Sequence, residues 1–272
     1  MKTTFAAVMG LLLALISQAQ KLPNIQQTSL YAPTNIKIDG KTTEWNNQFQ
    51  AYNHATDVFY IISNDDDKLY LTLQATDPSI INKILRGGVA LAINPTGKKN
   101  DKGAACIIYP IFEPSARPSI GMAKKSLAAG SAKVDNLSDS AVAAYNHSLK
   151  EKSKYIEVTG IPGIDTLISV YNTDGIKAAE MFDKTMAYTY ELAVDLKLFG
   201  LSASSAKFAY HITLSGMSSV NFKKPTFDAQ HDGVVSVTSS PIMDEKIKLD
   251  LAMTSQAFSP TDFWGEYTLV KK

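Results

Sequence analysis

Apolar and polar residues alternate with a period of two along much of the chain. Tyr190, Leu192, Val194, Leu196 and Leu198 fall on one side of an extended segment, with Glu191, Asp195 and Lys197 on the other. This pattern predicts a strand with one buried face and one wet face. Phe208, Tyr210, Ile212 and Leu214 repeat it, Ile247, Leu249 and Leu251 do so briefly, and 267–270 predicts a last strand. The β-branched and aromatic run 58–63 and the alternating Leu69, Leu71 and Leu73 flank the turn formers Asn64-Asp65-Asp66-Asp67, which predicts a hairpin. Val89, Leu91 and Ile93 end at Asn94-Pro95-Thr96-Gly97, and 104–112 returns as the partner strand. Proline cannot donate to a ladder, so Pro110 predicts a sheet edge or an exit from the sheet. Ile36-Lys37-Ile38 predicts a short opening strand.

Helical spacing is confined to two places. Residues 79–85 predict a short helix with Ser79 as its N-cap and Gly87-Gly88 as its stop. Segment 114–154 is rich in Ala, Ser and Lys and poor in large apolar residues. Within it Ser138-Asp139 predicts a cap for a helix running through Ala141, Val142, Tyr145 and Leu149, close to one helical face. The segment carries too little apolar surface for its own core, so it reads as an excursion from the sheet. The expected fold is all-β: a two-sheet antiparallel β-sandwich, jelly-roll-like, with a short helical excursion around 114–154. One domain over 36–272 is expected, preceded by a lead-in over 20–35.

The first residues follow a different rule. Lys2, an apolar run over 5–16 and Ser17-Gln18-Ala19 together match a secretory signal peptide over 1–19, cut after Ala19. A membrane span needs about 20 apolar residues, so the run is too short to be one. The expected location is therefore exported, periplasmic or secreted, with no transmembrane segment after the signal is removed. Lys+Arg 27 against Asp+Glu 26 gives no basic stripe, which argues against nucleic acid. Cys106 is the only cysteine, so no intrachain disulfide can form, and its apolar neighbours predict a buried, inert thiol.

Several motifs, in order, resemble the type 9 carbohydrate-binding modules and their DOMON-like relatives. They are Ile36-Lys37-Ile38-Asp39-Gly40 with Trp45; Asp66-Asp67-Lys68-Leu69-Tyr70-Leu71 with Asp77-Pro78; the strand from Tyr190 into Phe199-Gly200; and Phe263-Trp264-Gly265-Glu266-Tyr267. The resemblance implies a sandwich fold and an extracellular sugar ligand held against aromatic faces. Asp39, Gly40, Trp45, Trp264 and Gly265 are the structural motif residues on this reading. Gly40 permits a tight turn, and Trp45 and Trp264 serve as core or end-cap indoles rather than as a sugar platform.

Candidate chemistry is correspondingly sparse. With both tryptophans assigned to structure, Tyr52, Tyr109, Tyr145 and Tyr171 are the candidate saccharide contacts, with Asn, Gln and Asp as hydrogen-bond partners. Asp65, Asp66 and Asp67 are weak calcium candidates, because one turn supplies only a few of the six to eight oxygens that calcium takes. His54, His147, His211 and His231 lack the spacing of a zinc site. Met181, Met186, Met217, Met243 and Met253 are core filler before they are haem ligands. No nucleophile elbow or phosphate loop is present. The expected function is a non-catalytic module, not an enzyme and without a cofactor, that binds a saccharide or similar ligand. The alternative is a structural or interaction protein of the cell envelope that keeps the sandwich without binding sugar.

Overall fold

The computed structural model describes residues 21–113, 116–118, 120, 138–202, 207–216 and 259–272. In chain order its strands are β1 (Ala51–Asn53), β2 (Val58–Asn64), β3 (Lys68–Ala75), β4 (Val89–Asn94), β5 (Ala105–Ile111), β6 (Tyr155–Thr159), β7 (Leu167–Ser169), β8 (Ile176–Phe182), β9 (Tyr188–Asp195), β10 (Phe208–Leu214) and β11 (Thr261–Tyr267). They form two antiparallel sheets with orders β1-β2-β3-β9-β8 and β11-β10-β4-β5-β6-β7. Period-two apolar positions can be buried together only if the chain is extended and paired, which is why the alternating runs became these strands. The inward faces share one core. Tyr60 and Tyr210, from opposite sheets, bring their hydroxyls to 3.1 Å, and the Phe263 ring packs 5.0 Å from that of Tyr60. The fold is thus the expected two-sheet β-sandwich. Among the described residues no helix is long and apolar enough to cross a membrane.

Among the described residues, two α-helices decorate the sandwich. Helix α1 (Pro78–Gly87) is capped by Asp77, not Ser79: the Asp77 carboxylate accepts the Ser79 amide at 2.8 Å. Pro78 has no amide hydrogen to lose and its φ is preset, so it suits the first helical position and moves the cap one turn-start earlier. Gly88, at φ +76, follows the last residue. Helix α2 (Asp139–Lys152) starts where expected, with the Ser138 hydroxyl accepting the Ala141 amide at 3.3 Å, and it packs on β8.

Three local expectations are corrected. Ile36-Lys37-Ile38 makes no strand; Ile36 and Ile38 lie over the outer face of the five-stranded sheet against Ala32, Tyr70 and Ala193. Pro110 sits in β5, an internal strand between β4 and β6, where a register shift between Ile108 and Ile111 absorbs the missing donor. The last strand is 261–267 rather than 267–270, its pattern weakened by Gly265 at an inward position. Residues 1–20, most of 114–137, and the strand expected at 247–251 lie outside the described residues, as do His231, Met217, Met243 and Met253.

Glu191, expected on a wet face, is fully buried. The Asp39-Gly40 turn lands on it. The amides of Asp39 and Gly40 donate to its Oε2 at 2.9 and 2.8 Å. Gly40 has φ +81, and a Cβ there would stand 2.6 Å from Met181 Cβ. The Asp39-Gly40 turn is therefore a seat on the sheet as well as a change of direction. Burial pushes the Glu191 carboxyl up to about 7, against the pull of the two amides.

Candidate functional site

Spacing along α2 builds one wall of a cleft. Tyr145, Ser148, Leu149 and Lys152 stand at i, i+3, i+4 and i+7, one face of the helix. Across from them run Arg117, Pro118 and Ile120, with Leu85 of α1 and Phe182 of β8 completing a cleft of about 270 Å³. Leu85, Ile120, Leu149 and Phe182 are buried and form an apolar floor. Arg117, Tyr145, Ser148 and Lys152 carry polar groups above it.

Two buried amide exchanges hold the walls apart. Asn82 of α1 donates to the Ile120 carbonyl at 3.1 Å and accepts the Ile120 amide at 3.0 Å. Asn146 of α2 donates to the Phe182 carbonyl at 2.8 Å and accepts its amide at 2.7 Å. Each pair satisfies main-chain groups that have no ladder partner, so neither wall can slide without stranding polar atoms. The Tyr145 ring meets Phe182 edge to face, centroids 6.2 Å apart. The charged side chains among the described lining residues are Arg117 and Lys152. Burial, and then the nearby charge of Arg86, hold the Arg117 guanidinium below the usual arginine range. Among the described residues no Asp or Glu lines it.

A second concavity, of about 530 Å³, lies at one end of the five-stranded sheet beside Asp66, Asp67, Lys68, Asp195 and Lys197. Within it Asp195 is paired with Lys68 and, at 3.5 Å, with Lys197. The calcium candidates adjoin it. Asp65 Oδ1 accepts the amides of Asp67 and Lys68 at 2.9 and 2.7 Å, and its Oδ2 accepts the Tyr70 hydroxyl at 2.6 Å. That carboxylate closes its own turn. Among the described residues no three His, Cys, Asp or Glu side chains are placed to hold a metal ion.

The four candidate tyrosines are not brought together. Tyr145 lines the cleft. Tyr109, expected in or near a loop, is buried in β5 and donates to Ser153 Oγ at 3.2 Å. Tyr52 lies on the outer face of the five-stranded sheet, donating to Asp57 at 3.1 Å and packing on Phe59. Tyr171 is exposed in the turn after β7, near the Lys154 ammonium.

One of the two indoles departs from expectation. Trp264 neither enters the core nor caps an end. It stands half-buried on the outer face of the six-stranded sheet, stacked on His211 at 4.1 Å and 13°. The His211 ring nitrogens lie 3.0 Å from Asp101 and 2.9 Å from Asp262. Gly265 is the inward partner in this motif: a Cβ there would stand 2.0 Å from Tyr210 Cζ. Trp45 ends a single 3-10 turn (Thr43–Trp45) and is half-buried. Cys106 is half-buried on β5, and burial pushes its thiol up to about 12, which keeps it protonated and unreactive.

Arg117, Ser148 and Lys152 were missed as site residues because nothing in their own neighbourhood marks them. The i, i+3, i+4, i+7 face of α2 was the available signal, and it reads first as a packing stripe. No family model matches the chain, and no curated protein is significantly similar to it.

Proposed function

We propose that this protein is a non-catalytic, exported binding module that takes a saccharide into the cleft between α2 and Arg117, Pro118 and Ile120. The observation that carries this reading is the amphipathic lining. A sugar ring has a C–H face and a rim of hydroxyls. An apolar floor with the Tyr145 ring beside it matches the first, and the polar ends of Arg117, Ser148 and Lys152 match the second. At about 270 Å³ the space suits one sugar ring. Among the described residues the lining offers no carboxylate pair, and we read it as a site that binds without cutting. The resemblance to type 9 carbohydrate-binding modules points to the same ligand class.

A glycan array followed by calorimetry on the purified protein tests this. Binding of at least one glycan is expected, weakened about tenfold by Tyr145→Ala, the scale of one aromatic contact. Trp264→Ala, on the far sheet, is expected to leave it unchanged. Silence across the array, or loss of binding with Trp264→Ala alone, refutes the assignment.

A further inference from the structure

A buried carboxyl lies beneath the cleft. Glu180 of β8 shares the core-facing side of its strand with Ile176 and Phe182, the latter a cleft residue. Its Oε2 accepts the Tyr188 hydroxyl, while its Oε1 is shut off from solvent with no hydrogen-bond partner. Tyr190 stands directly opposite on β9, fully buried, and its hydroxyl also lacks a partner. Tyr109 of β5 faces this group from the other sheet, its ring centroid 6.0 Å from that of Tyr190. The Tyr109 hydroxyl donates to Ser153 Oγ at 3.2 Å, and the Ser153 hydroxyl donates to the Leu149 carbonyl at 2.8 Å. That carbonyl also accepts the Ser153 amide at 2.8 Å, so Ser153 closes the last turn of α2, which carries Leu149 and Lys152 of the cleft.

Resting on the reading of this cleft as the ligand site, we infer that Glu180 is a pH-sensitive strut beneath it. Neutral, it leaves α2 closed; ionised, it loosens the last turn of α2 and weakens binding. The titratable groups around it are neutral: burial raises Tyr109, Tyr188 and Tyr190 above the ordinary tyrosine value. On α2 the last turn holds Lys150 and Lys152, of which Lys152 lines the cleft, and Lys154 beyond it pairs with Glu151 at 3.6 Å. Among the described residues no cation is paired with Glu180, and burial pushes its carboxyl up to about 7. A buried carboxylate with an unpartnered oxygen is costly and draws on any hydroxyl in reach. Ser153 lies close enough to act on the carboxyl, but a hydroxyl has one proton to give. Giving it to Glu180 takes it from Leu149, so a charge on β8 is felt at the end of α2. The carbonyls there are the negative end of the helix dipole, which adds repulsion.

Hydrogen exchange on the full, unliganded protein, read by NMR, tests the switch. Protection of the residue-153 amide, relative to the Val142 amide in the first turn of α2, should fall about tenfold or more as pH rises from about 5.5 to about 8.5. The carboxyl titrates near 7, and each pH unit is worth about a factor of ten. Glu180→Gln, which keeps an acceptor for the Tyr188 hydroxyl, should abolish the fall. Ser153→Ala should abolish it too, while leaving the Glu180 share of the pH dependence of Tm in place; circular dichroism confirms that both variants are folded. A protection ratio that is flat in the parent, or that falls equally in either variant, overturns the switch. A glycan array run at both pH values tests the coupling to binding. Signals that weaken at the higher pH in the parent but not in Glu180→Gln support it, and equal signals at both in the parent overturn it. An array silent at both removes the saccharide reading alone, and the switch then stands or falls on the exchange result.

Discussion

Replacing Gly265 by alanine separates this structure from a generic β-sheet. In an ordinary strand the change is mildly stabilising, by about 0.4–1 kcal/mol, because alanine has less freedom to lose. Gly265 points inward on β11, opposite Tyr210 of β10. The new methyl carbon would stand 2.0 Å from Tyr210 Cζ, 2.1 Å from its hydroxyl oxygen and 2.6 Å from Cε1. The ring cannot swing aside freely. It is fully buried, Phe263 packs near it, and its hydroxyl meets that of Tyr60, which also accepts the Gln26 amide at 2.9 Å. Overpacking of this kind costs about 1–3 kcal/mol. Losing the Tyr60–Tyr210 hydrogen bond adds about 1 kcal/mol. Gly265→Ala should therefore destabilise by about 2–4 kcal/mol, opposite in sign to the generic effect. Urea unfolding at constant m-value measures it. A double-mutant cycle locates the cause: with Tyr210→Leu in place, the penalty should fall below about 0.5 kcal/mol. A Gly265→Ala protein as stable as the parent, or a penalty equal in both backgrounds, refutes the reasoning.

The remaining predictions concern three ionisable groups and one helix cap. Glu191 holds its proton up to about 7 in the folded chain, well above its unfolded value. Its contribution to stability is thus full below the unfolded value and lost as pH rises through about 7. Glu191→Gln keeps an acceptor for the Asp39 and Gly40 amides, so it should flatten the fall in Tm between pH 5 and 8; an unchanged slope sinks the assignment. Glu180, also pushed up to about 7 by burial, should supply part of whatever slope remains, which Glu180→Gln measures in the same scan. Lys83 is fully buried on α1 with its ammonium 3.2 Å from the Thr261 hydroxyl, and burial lowers its affinity for its proton. Lys83→Met should stabilise the protein by about 1 kcal/mol in urea unfolding. Asp77→Ala should cost about 1 kcal/mol through loss of the α1 cap, whereas a cost only at Ser79 would restore Ser79 as the cap.

Alternation made most of the sandwich legible. It reports which side of a strand a residue is on, and β3, β4, β9 and β10 all follow it. It does not report what lands on the other side. Glu191 reads as a wet-face residue until the Asp39-Gly40 turn covers it, and that contact spans 151 residues for the Gly40 amide. Lys83 sits inside the apolar run Ile80-Ile81-Asn82-Lys83-Ile84-Leu85, where a helical reading takes it for a solvated position. Trp264 was misassigned for a related reason. Indole burial is a statistical habit, and the residue after Phe263 on a strand must point outward whatever its size. Pro110 was placed at an edge because edges are where a missing donor is cheapest, but a bulge serves an internal strand as well.

Where the cleft lies explains why the resemblance to a family reaches the fold more surely than the ligand. The motifs that carry it fall on the lead-in turn, on β2–β3 and the α1 cap, on β9 and its exit, and on β11. The cleft takes Arg117, Pro118 and Ile120, with Tyr145, Ser148, Leu149 and Lys152, from the stretch inserted between β5 and β6; only Leu85 and Phe182 come from elsewhere. None of the nine lies in a motif. The sandwich fixes Leu85 and Phe182 as a floor, and Asn82 and Asn146 fasten the insertion to it. An inserted segment so fastened can change its lining without disturbing either sheet, which is how one scaffold comes to serve different ligands. Substitutions within 116–120 or on the Tyr145 face of α2 should therefore shift ligand preference with little change in stability. Substitutions at the motif residues should do the reverse, and a set of cleft variants that lose stability in step with binding would show that the insertion is part of the core instead.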